Sequence, residues 1–275
     1  MDTKQVYDAV QKHYSTAAGA RDADYARKVA ESFGYTKEEL ADIPTDTNLG
    51  LSCGNPLAIA KLEQGETVLD LGSGAGFDVF RAAKNVGPAG KVIGDMLERA
   101  NQNKEKAKAD NVSFVESYIT DIKLPDGIAD CIISNCVVNL VPETDKQLVF
   151  NEMFRLLKPQ GRVAISDILA KKPLTQEIRD SVALYVGCIA GASEVKNYEK
   201  YLREAGFTDF LLVDTKSDLN IYTTAKSGSK GPGCCSSDIQ TCCEPSDSSA
   251  QPKPDVENID FNEWAGSFKI YAVKS

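Results

Sequence analysis

The sequence predicts an α/β protein built on a doubly wound, mostly parallel sheet, with helices before the sheet and an α+β extension after it. Two observations predict this fold. Between residues 66 and 168, short runs rich in β-branched residues alternate with helical segments, a pattern typical of strand–helix–strand units. Residues 261–275 become apolar again with the alternation of a strand, which indicates that the chain returns to the same domain at its end.

The individual elements follow from local pattern, in chain order. Strands are predicted at Thr67–Leu71, Lys91–Gly94, Val112–Val115, Asp130–Ser134 and Arg162–Ile168. Helices are predicted from Asp78 to Lys84, from Leu97 to Ala109, and from Glu143 to Leu157, where Lys158-Pro159-Gln160-Gly161 stops the last one. Residues 174–206 are predicted to be helical with a break at Gly191-Ala192-Ser193, and late strands are predicted at Phe210–Val213 and Ile221–Thr224.

The chain divides into five parts. Residues 1–65 form an N-terminal helical segment, in which Asn55 caps a helix that begins with Pro56 and runs to Glu63. The α/β domain spans 66–170, and helices with late strands span 171–225. Residues 226–260 are rich in Ser, Gly, Pro and acid, so we expect a flexible segment. Residues 261–275 supply the returning strand.

Composition and charge disfavour several classes of protein. The chain has 275 residues, of which 42% are apolar and 26% charged, so it is long enough for a globular core. Its net charge of −9 disfavours binding to nucleic acid or anionic lipid. No apolar run spans a bilayer, and the first ten residues lack the apolar core of a signal peptide. We therefore expect a cytoplasmic monomer with no nucleic-acid or membrane partner.

A glycine-rich loop follows the first predicted strand, in the sequence VLDLGSGAGFD at 68–78. Glycines let the backbone approach a ligand closely, and the following helix start presents a positive dipole. Asp70 precedes the first glycine, Gly72, and would repel a pyrophosphate but suit a cationic amino acid. The alternative is a tight turn in an unrelated sheet, because a glycine loop alone is a weak signal.

This loop resembles that of the S-adenosylmethionine-dependent methyltransferases. The resemblance implies that the loop borders the methionine part of the cofactor, that Asp95 holds the ribose hydroxyls, and that the segment near Thr120 lies against the adenine. For Asp95, a helix N-cap is the alternative. The implied cofactor-binding residues are Asp70, Gly72, Ser73, Gly74, Gly76, Asp95, Met96, Ile119, Thr120 and Asn135.

Three separated cysteines are the most specific feature. Cys53 lies in GLSCGNP, Cys136 in ISNCVVNL and Cys188 in GCIAGA. Together with the glycine loop, these motifs resemble the arsenite S-adenosylmethionine methyltransferases over most of residues 45–225 and again in the last fifteen. The resemblance implies a class I methyltransferase fold, trivalent arsenicals as substrates, the three cysteines as arsenic ligands, and an external thiol reductant such as glutathione or thioredoxin.

The chemistry of these residues agrees with that resemblance. Trivalent arsenic is thiophilic, and soft centres prefer thiolate to oxygen ligands. Three thiolates replace its hydroxyls and leave a lone pair that can be directed at a sulfonium methyl. This transfer needs no general base, which suits a chain with a single histidine, His13. Taken singly, each cysteine could instead be a small buried apolar residue.

The other cysteines are interpreted differently. With no signal peptide, all eight are expected to be thiols rather than structural disulfides. Cys131 lies an odd number of residues from Cys136, which places it on the other face of a strand, in the core. The pairs Cys234-Cys235 and Cys242-Cys243 lack zinc-ligand spacing; as vicinal dithiols they could capture arsenite.

Three departures from the resembling family are visible. Ser52 stands where relatives usually have glycine, and residues 1–52 lack the fourth cysteine that relatives often have, so the resemblance does not extend to a step that uses it as an internal reductant. The interval after Gly94 is short, which predicts either a deleted loop or a chain break before Asp95. Two other functions stay open: methylation of an organic small molecule, with incidental cysteines, and metalloid sequestration without turnover.

Overall fold

The computed structural model describes residues 7, 10, 23–41, 43–44, 47–94, 98–180, 188–224 and 259–275. Within these ranges, seven strands form one sheet. They are β1 (Thr67–Leu71), β2 (Lys91–Gly94), β3 (Val112–Phe114), β4 (Ala129–Asn135), β5 (Leu157–Ala170), β6 (Asp209–Asp214) and β7 (Ala265–Val273). The strand order is β3-β2-β1-β4-β5-β7-β6.

The sheet is parallel from β3 to β5, and β7 runs antiparallel to both β5 and β6. Parallel neighbours need crossover connections, and helices supply them here. The helices of the described ranges are α1 (Ala23–Ser32), α2 (Lys37–Ala41), α3 (Leu57–Ala60), α4 (Phe77–Val86), α5 (Glu98–Ala107), α6 (Lys146–Leu156), α7 (Gln176–Asp180), α8 (Val195–Ala205), α9 (Ile221–Thr224) and α10 (Phe261–Trp264), of which α4, α5 and α6 lie between parallel strands. The predicted doubly wound α/β class is confirmed.

The core has one apolar layer on each face of the sheet. Ile132 of β4 packs with α6 and α8 on one face, whereas Ile133 packs with α4 on the other. Both faces of the central strands are therefore covered, as parallel sheets require. A third buried cluster lies beyond the carboxyl end of β4 and contains Cys53, Cys136 and Cys188. The described helices include none long and apolar enough to cross a membrane.

The strand predicted at Ile221–Thr224 is wrong, because these residues form the short helix α9. The strand that pairs with β6 is β7, from Asp209 to Asp214. The segment is fixed by side-chain contacts instead: the ring of Tyr222 stacks on that of Phe33 at 5.7 Å between centroids. Tertiary contacts here outweigh the β propensity of a short β-branched run.

The predicted turn at residues 158–161 is part of β5. Ala129 pairs with Leu157, but Cys131 pairs with Arg162, so the extra residues form a bulge in β5. Gln160 adopts φ 65° within it. The preceding helix is correspondingly shorter than predicted and ends at Leu156.

The helix predicted from Asn55 to Glu63 is reduced to α3, because Lys61 adopts the left-handed conformation and ends it. Asn55 still accepts a hydrogen bond from the Ala58 amide at 3.3 Å, as a capping residue does. The returning strand is confirmed as β7, with Phe268, Ile270 and Ala272 buried. The flexible segment predicted at 226–260 falls outside the described residues except for its last two.

Asp167 of β5 is a fully buried carboxyl group that should make stability depend on pH. Its oxygens accept hydrogen bonds from the Tyr198 hydroxyl at 2.8 Å and the Ile168 amide at 2.9 Å. Burial raises its pKa to about 6, although Tyr198 and the charge of Lys146 oppose the shift. The native state therefore binds this proton more tightly than the unfolded chain, so the stabilisation is complete below pH ~4 and is lost as pH rises through about 6.

We expect the wild-type free energy of unfolding, relative to that of Asp167→Asn, to fall by about 2 kcal/mol between pH 4 and pH 7. Urea unfolding of both proteins at several pH values measures this difference. Parallel curves for the two proteins would show that Asp167 titrates normally.

Candidate active site

The site lies where β1 and β4 end side by side. Their parallel register pairs Leu71 with Ser134, so the loop after β1 and the loop after β4 leave the sheet at the same edge. A cavity of about 270 Å³ opens there. Ligands of open α/β sheets bind outside the carboxyl ends of the strands. The residues lining this cavity include Asp70, Gly72, Ser73, Gly74, Ala75, Phe77, Asp78, Asn135, Cys136, Val137 and Leu140.

The glycine loop adopts a conformation that other residues disfavour. Gly72, Gly74 and Gly76 have φ values of 71°, 58° and 95°, in the left-handed region where a Cβ is strained. Gly72 also lies against the side chain of Val137, which follows Cys136. The loop is held from outside by Asn103, whose amide donates to the Ala75 carbonyl at 3.0 Å. The loop after β1 and the loop after β4 are therefore in direct contact.

Two buried carboxylates, Asp70 and Asp78, face this cavity. The Tyr35 hydroxyl donates to Asp78 at 3.0 Å, and the Arg81 guanidinium lies 3.2 Å from the same carboxylate. Burial raises the pKa of Asp78, while Arg81 and the hydrogen bonds oppose that shift. Burial also raises the pKa of Tyr35 well above its ordinary value, so Tyr35 is a neutral donor. These carboxyl groups would favour binding of a cationic ligand in the cavity.

Asn135, the last residue of β4, connects this cavity to the first cysteine. Its amide nitrogen donates to the Gly54 carbonyl at 3.0 Å and to Asp78 at 3.1 Å. Its carbonyl oxygen accepts from the Cys53 amide at 3.2 Å. One side chain thus binds the backbone on both sides of the Cys53–Gly54 peptide. The partners lie 57 to 82 residues away in sequence, so local pattern gives no signal for this role.

The three predicted ligand cysteines converge. The sulfur atoms of Cys53, Cys136 and Cys188 all lie within 4.8 Å of one another, and all three residues are buried. They come from three separate segments: the loop before α3, the residue after β4, and the turn that follows residues 181–187. The Cys136 amide donates to the Ser166 carbonyl at 2.9 Å, and the Cys53 carbonyl accepts from Ser267 at 2.5 Å. The β5–β7 pair thus supports two of the three cysteines.

The sulfur atoms of Cys53 and Cys136 lie in direct contact, and their Cα atoms are 5.7 Å apart. This Cα separation would allow the two residues to form a disulfide on oxidation. The expectation that both are thiols stays a prediction. A thiophilic ligand can bind this pair only in the reduced form.

Cys136 and Cys188 both adopt left-handed backbone conformations, with φ values of 61° and 67°. This costs a residue with a Cβ about 1–2 kcal/mol. The Cys188 thiol points at the Cys136 carbonyl, 3.1 Å from its oxygen. Strained conformations of this kind concentrate at functional sites, where surrounding contacts maintain them.

Cys131 is confirmed as a core residue. It is fully buried among Val68, Ile133 and Ala164 on the α4 face of the sheet. Burial raises the pKa of its thiol to about 12, so it is not a thiolate near neutral pH. His13, the pairs Cys234-Cys235 and Cys242-Cys243, and the implied cofactor residues Asp95 and Met96 lie outside the described residues.

The other implied cofactor residues divide into two groups. Five of them line the cavity, namely Asp70, Gly72, Ser73, Gly74 and Asn135. The cavity lining found among described residues does not include Gly76, Ile119 or Thr120. Gly76 precedes α4, where a Cβ would meet the ring of Phe80. The sequence reasoning missed Tyr35, Asp78 and Asn139; an acid in the first turn of a helix after a glycine loop could have drawn attention to Asp78.

Gly54→Ala should weaken thiophilic ligand binding through a steric clash. An added Cβ would lie 2.6 Å from the Cβ and 2.8 Å from the Oγ of Ser166. Because Ser166 also binds the Cys136 amide, the clash separates Cys53 from Cys136. Overpacking costs about 1–3 kcal/mol, or roughly 5–150-fold in affinity. Titration of the reduced protein with arsenite measures this loss of affinity. Adding Ser166→Gly should restore binding, and a double variant that binds as weakly as Gly54→Ala would show that the clash with Ser166 is not the cause.

Comparisons with known proteins agree with this geometry. Residues 62–206 match the family model of the methyltransferase domain. The chain is 46% identical over 183 residues to the arsenite methyltransferase of Halobacterium salinarum, covering 65% of this chain and 46% of that protein. It is 41% identical over 174 residues to the arsenite methyltransferase of Aquipseudomonas alcaligenes, covering 59% and 49%.

A solved structure is also similar. The crystal structure of an arsenic(III) S-adenosylmethionine methyltransferase from Chlamydomonas reinhardtii superposes with a TM-score of 0.55 at 25% identity. The match covers 91% of this chain and 73% of that one. The chain spans about half the length of the curated relatives it matches.

Proposed function

Because this chain belongs to the methyltransferase domain family, we propose that it transfers methyl groups from S-adenosylmethionine to trivalent arsenic, converting arsenite to methylated arsenicals for detoxification. One observation carries the proposal: three buried cysteine sulfurs from distant segments meet within 4.8 Å, and Cys136 also lines the cavity at the glycine loop. The resemblance to arsenite methyltransferases that the cysteine motifs predicted is confirmed by the relatives.

The cavity residues fit the proposed cofactor. S-adenosylmethionine carries a sulfonium and an ammonium group, and two buried carboxylates, Asp70 and Asp78, face the cavity. The positive-φ glycines allow the backbone to approach the methionine part. When bound, this cofactor supplies an electrophilic methyl group that the arsenic lone pair takes, which leaves S-adenosylhomocysteine. Asp70, Gly72, Ser73, Gly74 and Asn135 would hold it.

The cysteines would hold the substrate. Each thiol gives its proton to an arsenite hydroxyl, which leaves as water as an As–S bond forms, and three such exchanges give a trithiolate with a free lone pair. A pyramidal arsenic is thereby fixed beside the cofactor cavity. Holding two reactants in line can supply about 7–11 kcal/mol in favourable cases, so no general base is needed.

An external thiol such as glutathione or thioredoxin belongs to the same proposal. Accepting a methyl cation oxidises arsenic from the trivalent to the pentavalent state, and two thiols return two electrons by forming one disulfide. The same thiols would keep Cys53 and Cys136 reduced, the form that binds arsenic. Thiols stay reduced in the cytoplasm, so we propose a cytoplasmic enzyme.

The deciding experiment is product speciation. Purified protein is incubated with arsenite, S-adenosylmethionine and glutathione, and arsenic species are separated and quantified. Methylated arsenic and an equivalent amount of S-adenosylhomocysteine are expected. Bound but unmethylated arsenite would instead indicate a sequestering protein, and cofactor turnover only with an organic acceptor would indicate an organic methyltransferase.

A further inference from the structure

Lys146 is a lysine buried in the protein interior, with a side chain only 1% exposed. Its ammonium group donates to the Gly191 carbonyl and, at 2.8 Å, to the Ser193 hydroxyl. It also lies 3.0 Å from the carboxylate of Glu143, whose side chain is 45% exposed. Burying an ammonium group is costly unless it is paired and hydrogen-bonded, so packing alone does not explain a lysine here.

These contacts tie α6 to the segment 188–193, which carries the third cysteine. The Ser193 hydroxyl donates to Glu143 at 2.7 Å, and the Ser193 carbonyl accepts from the Ala170 amide at 2.9 Å. Lys146, Glu143 and Ser193 thus form a closed network, which we call the lysine latch. It fastens the segment at its far end, five residues after Cys188.

The near end of the same segment is fastened separately. The Asn139 amide donates to the Cys188 carbonyl at 3.3 Å and to the Ile168 carbonyl. Between these two attachments, Cys188 adopts φ 67° and keeps its sulfur 3.1 Å from the Cys136 carbonyl. A strained residue relaxes when its surroundings loosen, so the position of the Cys188 sulfur depends on both attachments.

We propose that Lys146 is a positioning residue for the arsenic site: through the latch with Glu143 and Ser193, it keeps the Cys188 sulfur within reach of Cys53 and Cys136. This proposal rests on the proposed function, because the position of Cys188 matters only if three sulfurs share one arsenic atom. Outer contacts that orient metal ligands typically contribute about 10–100-fold to affinity.

The primary test is Lys146→Met, which keeps the apolar stem and removes the charge and donors. Glu143 is half exposed and stays hydrated without the lysine. Buried Asp167 loses a nearby positive charge but keeps its hydrogen bonds from Tyr198 and the Ile168 amide. We expect the reduced protein to bind arsenite about 10–100-fold more weakly, with the number of sulfurs bound to arsenic falling from three to two by X-ray absorption. The matched control is Lys200→Met on α8, whose side chain is 64% exposed; it should bind like wild type. Wild-type affinity in Lys146→Met would overturn the proposal.

A double-mutant cycle separates positioning from general stability. If Lys146 acts through Cys188, adding Lys146→Met to Cys188→Ser should not weaken arsenite binding further. A loosened core would weaken both backgrounds equally, and additive losses would therefore contradict the latch. Ser193→Ala removes the hydroxyl contacts with Lys146 and Glu143 but leaves the lysine and its ion pair in place, so it should give a smaller loss, in the wild-type background only. This variant carries the test if Lys146→Met does not fold.

The same measurements distinguish failure of the three-sulfur arsenic site from failure of the latch alone. If Cys188→Ser alone leaves arsenite affinity and sulfur coordination unchanged, the three-sulfur site is wrong and the proposed function fails. If Cys188→Ser weakens binding but Lys146→Met and Ser193→Ala do not, only the latch is wrong.

Discussion

Gly72→Ala should largely abolish binding of S-adenosylmethionine, and with it methyl transfer. Two costs coincide at this residue. The left-handed φ of 71° costs a Cβ about 1–2 kcal/mol. The added Cβ would also lie 2.8 Å from the Cβ of Val137 and closer still to its methyl groups, and overpacking adds about 1–3 kcal/mol. Calorimetric titration with the cofactor, alongside urea unfolding, should show a combined loss of about 2–5 kcal/mol.

Gly74→Ala is the matched control for this prediction. Gly74 lies in the same loop with φ 58°, but an added Cβ would meet nothing within 4 Å. Only the backbone cost of about 1–2 kcal/mol remains, which corresponds to roughly 5–30-fold in affinity. Equal losses in the two variants would show that contact with Val137 does not limit the loop, and that the apposition of the β1 and β4 loops is irrelevant to cofactor binding.

Much of the fold could be predicted from the sequence because its signals are local. The strands Thr67–Leu71 and Lys91–Gly94 have the predicted bounds, since each is a buried apolar run with turn residues after it. The returning strand was visible in the alternation of Phe268, Ile270 and Ala272. The helix Ile221–Thr224 was not predictable in this way, because its conformation depends on tertiary contacts such as that between Tyr222 and Phe33.

The candidate site likewise contains some residues with a local sequence signal and others whose role depends on long-range contacts. The three cysteines and the glycine loop were identified because each sits in a short motif of residues whose chemistry is distinctive. Asn135 was implied only by resemblance, and its role of binding the Cys53–Gly54 peptide comes from contacts across 81 and 82 residues. Lys146 gave no signal at all, because a lysine on a helix is ordinarily exposed.

Cys136→Ser should reduce arsenite methylation at least about 100-fold, the effect that misplacing a reactant by an ångström can have. Cys136 is central to the trio: its sulfur lies against that of Cys53, and its carbonyl oxygen accepts from the Cys188 thiol. Serine replaces a soft thiolate with a hard hydroxyl that trivalent arsenic does not prefer. Quantified methylated arsenic from wild type and variant, with saturating cofactor and glutathione, measures the loss.

Cys131→Ser, in β4, provides a control with the same substitution five residues before Cys136. Cys131 is buried on the α4 face and away from the trio, so arsenite turnover should stay within about twofold at temperatures where the protein is folded. Burying a hydroxyl in its place costs roughly 1–3 kcal/mol of stability, which a thermal melt would show. We expect Cys131→Ser to lose thermal stability but keep arsenite turnover, and Cys136→Ser to lose turnover but keep stability. This contrast separates the core thiol from the ligand thiol. If Cys136→Ser instead methylates arsenite at the wild-type rate, arsenic is not held by this sulfur, and methylation of an organic acceptor becomes the better account of the cavity.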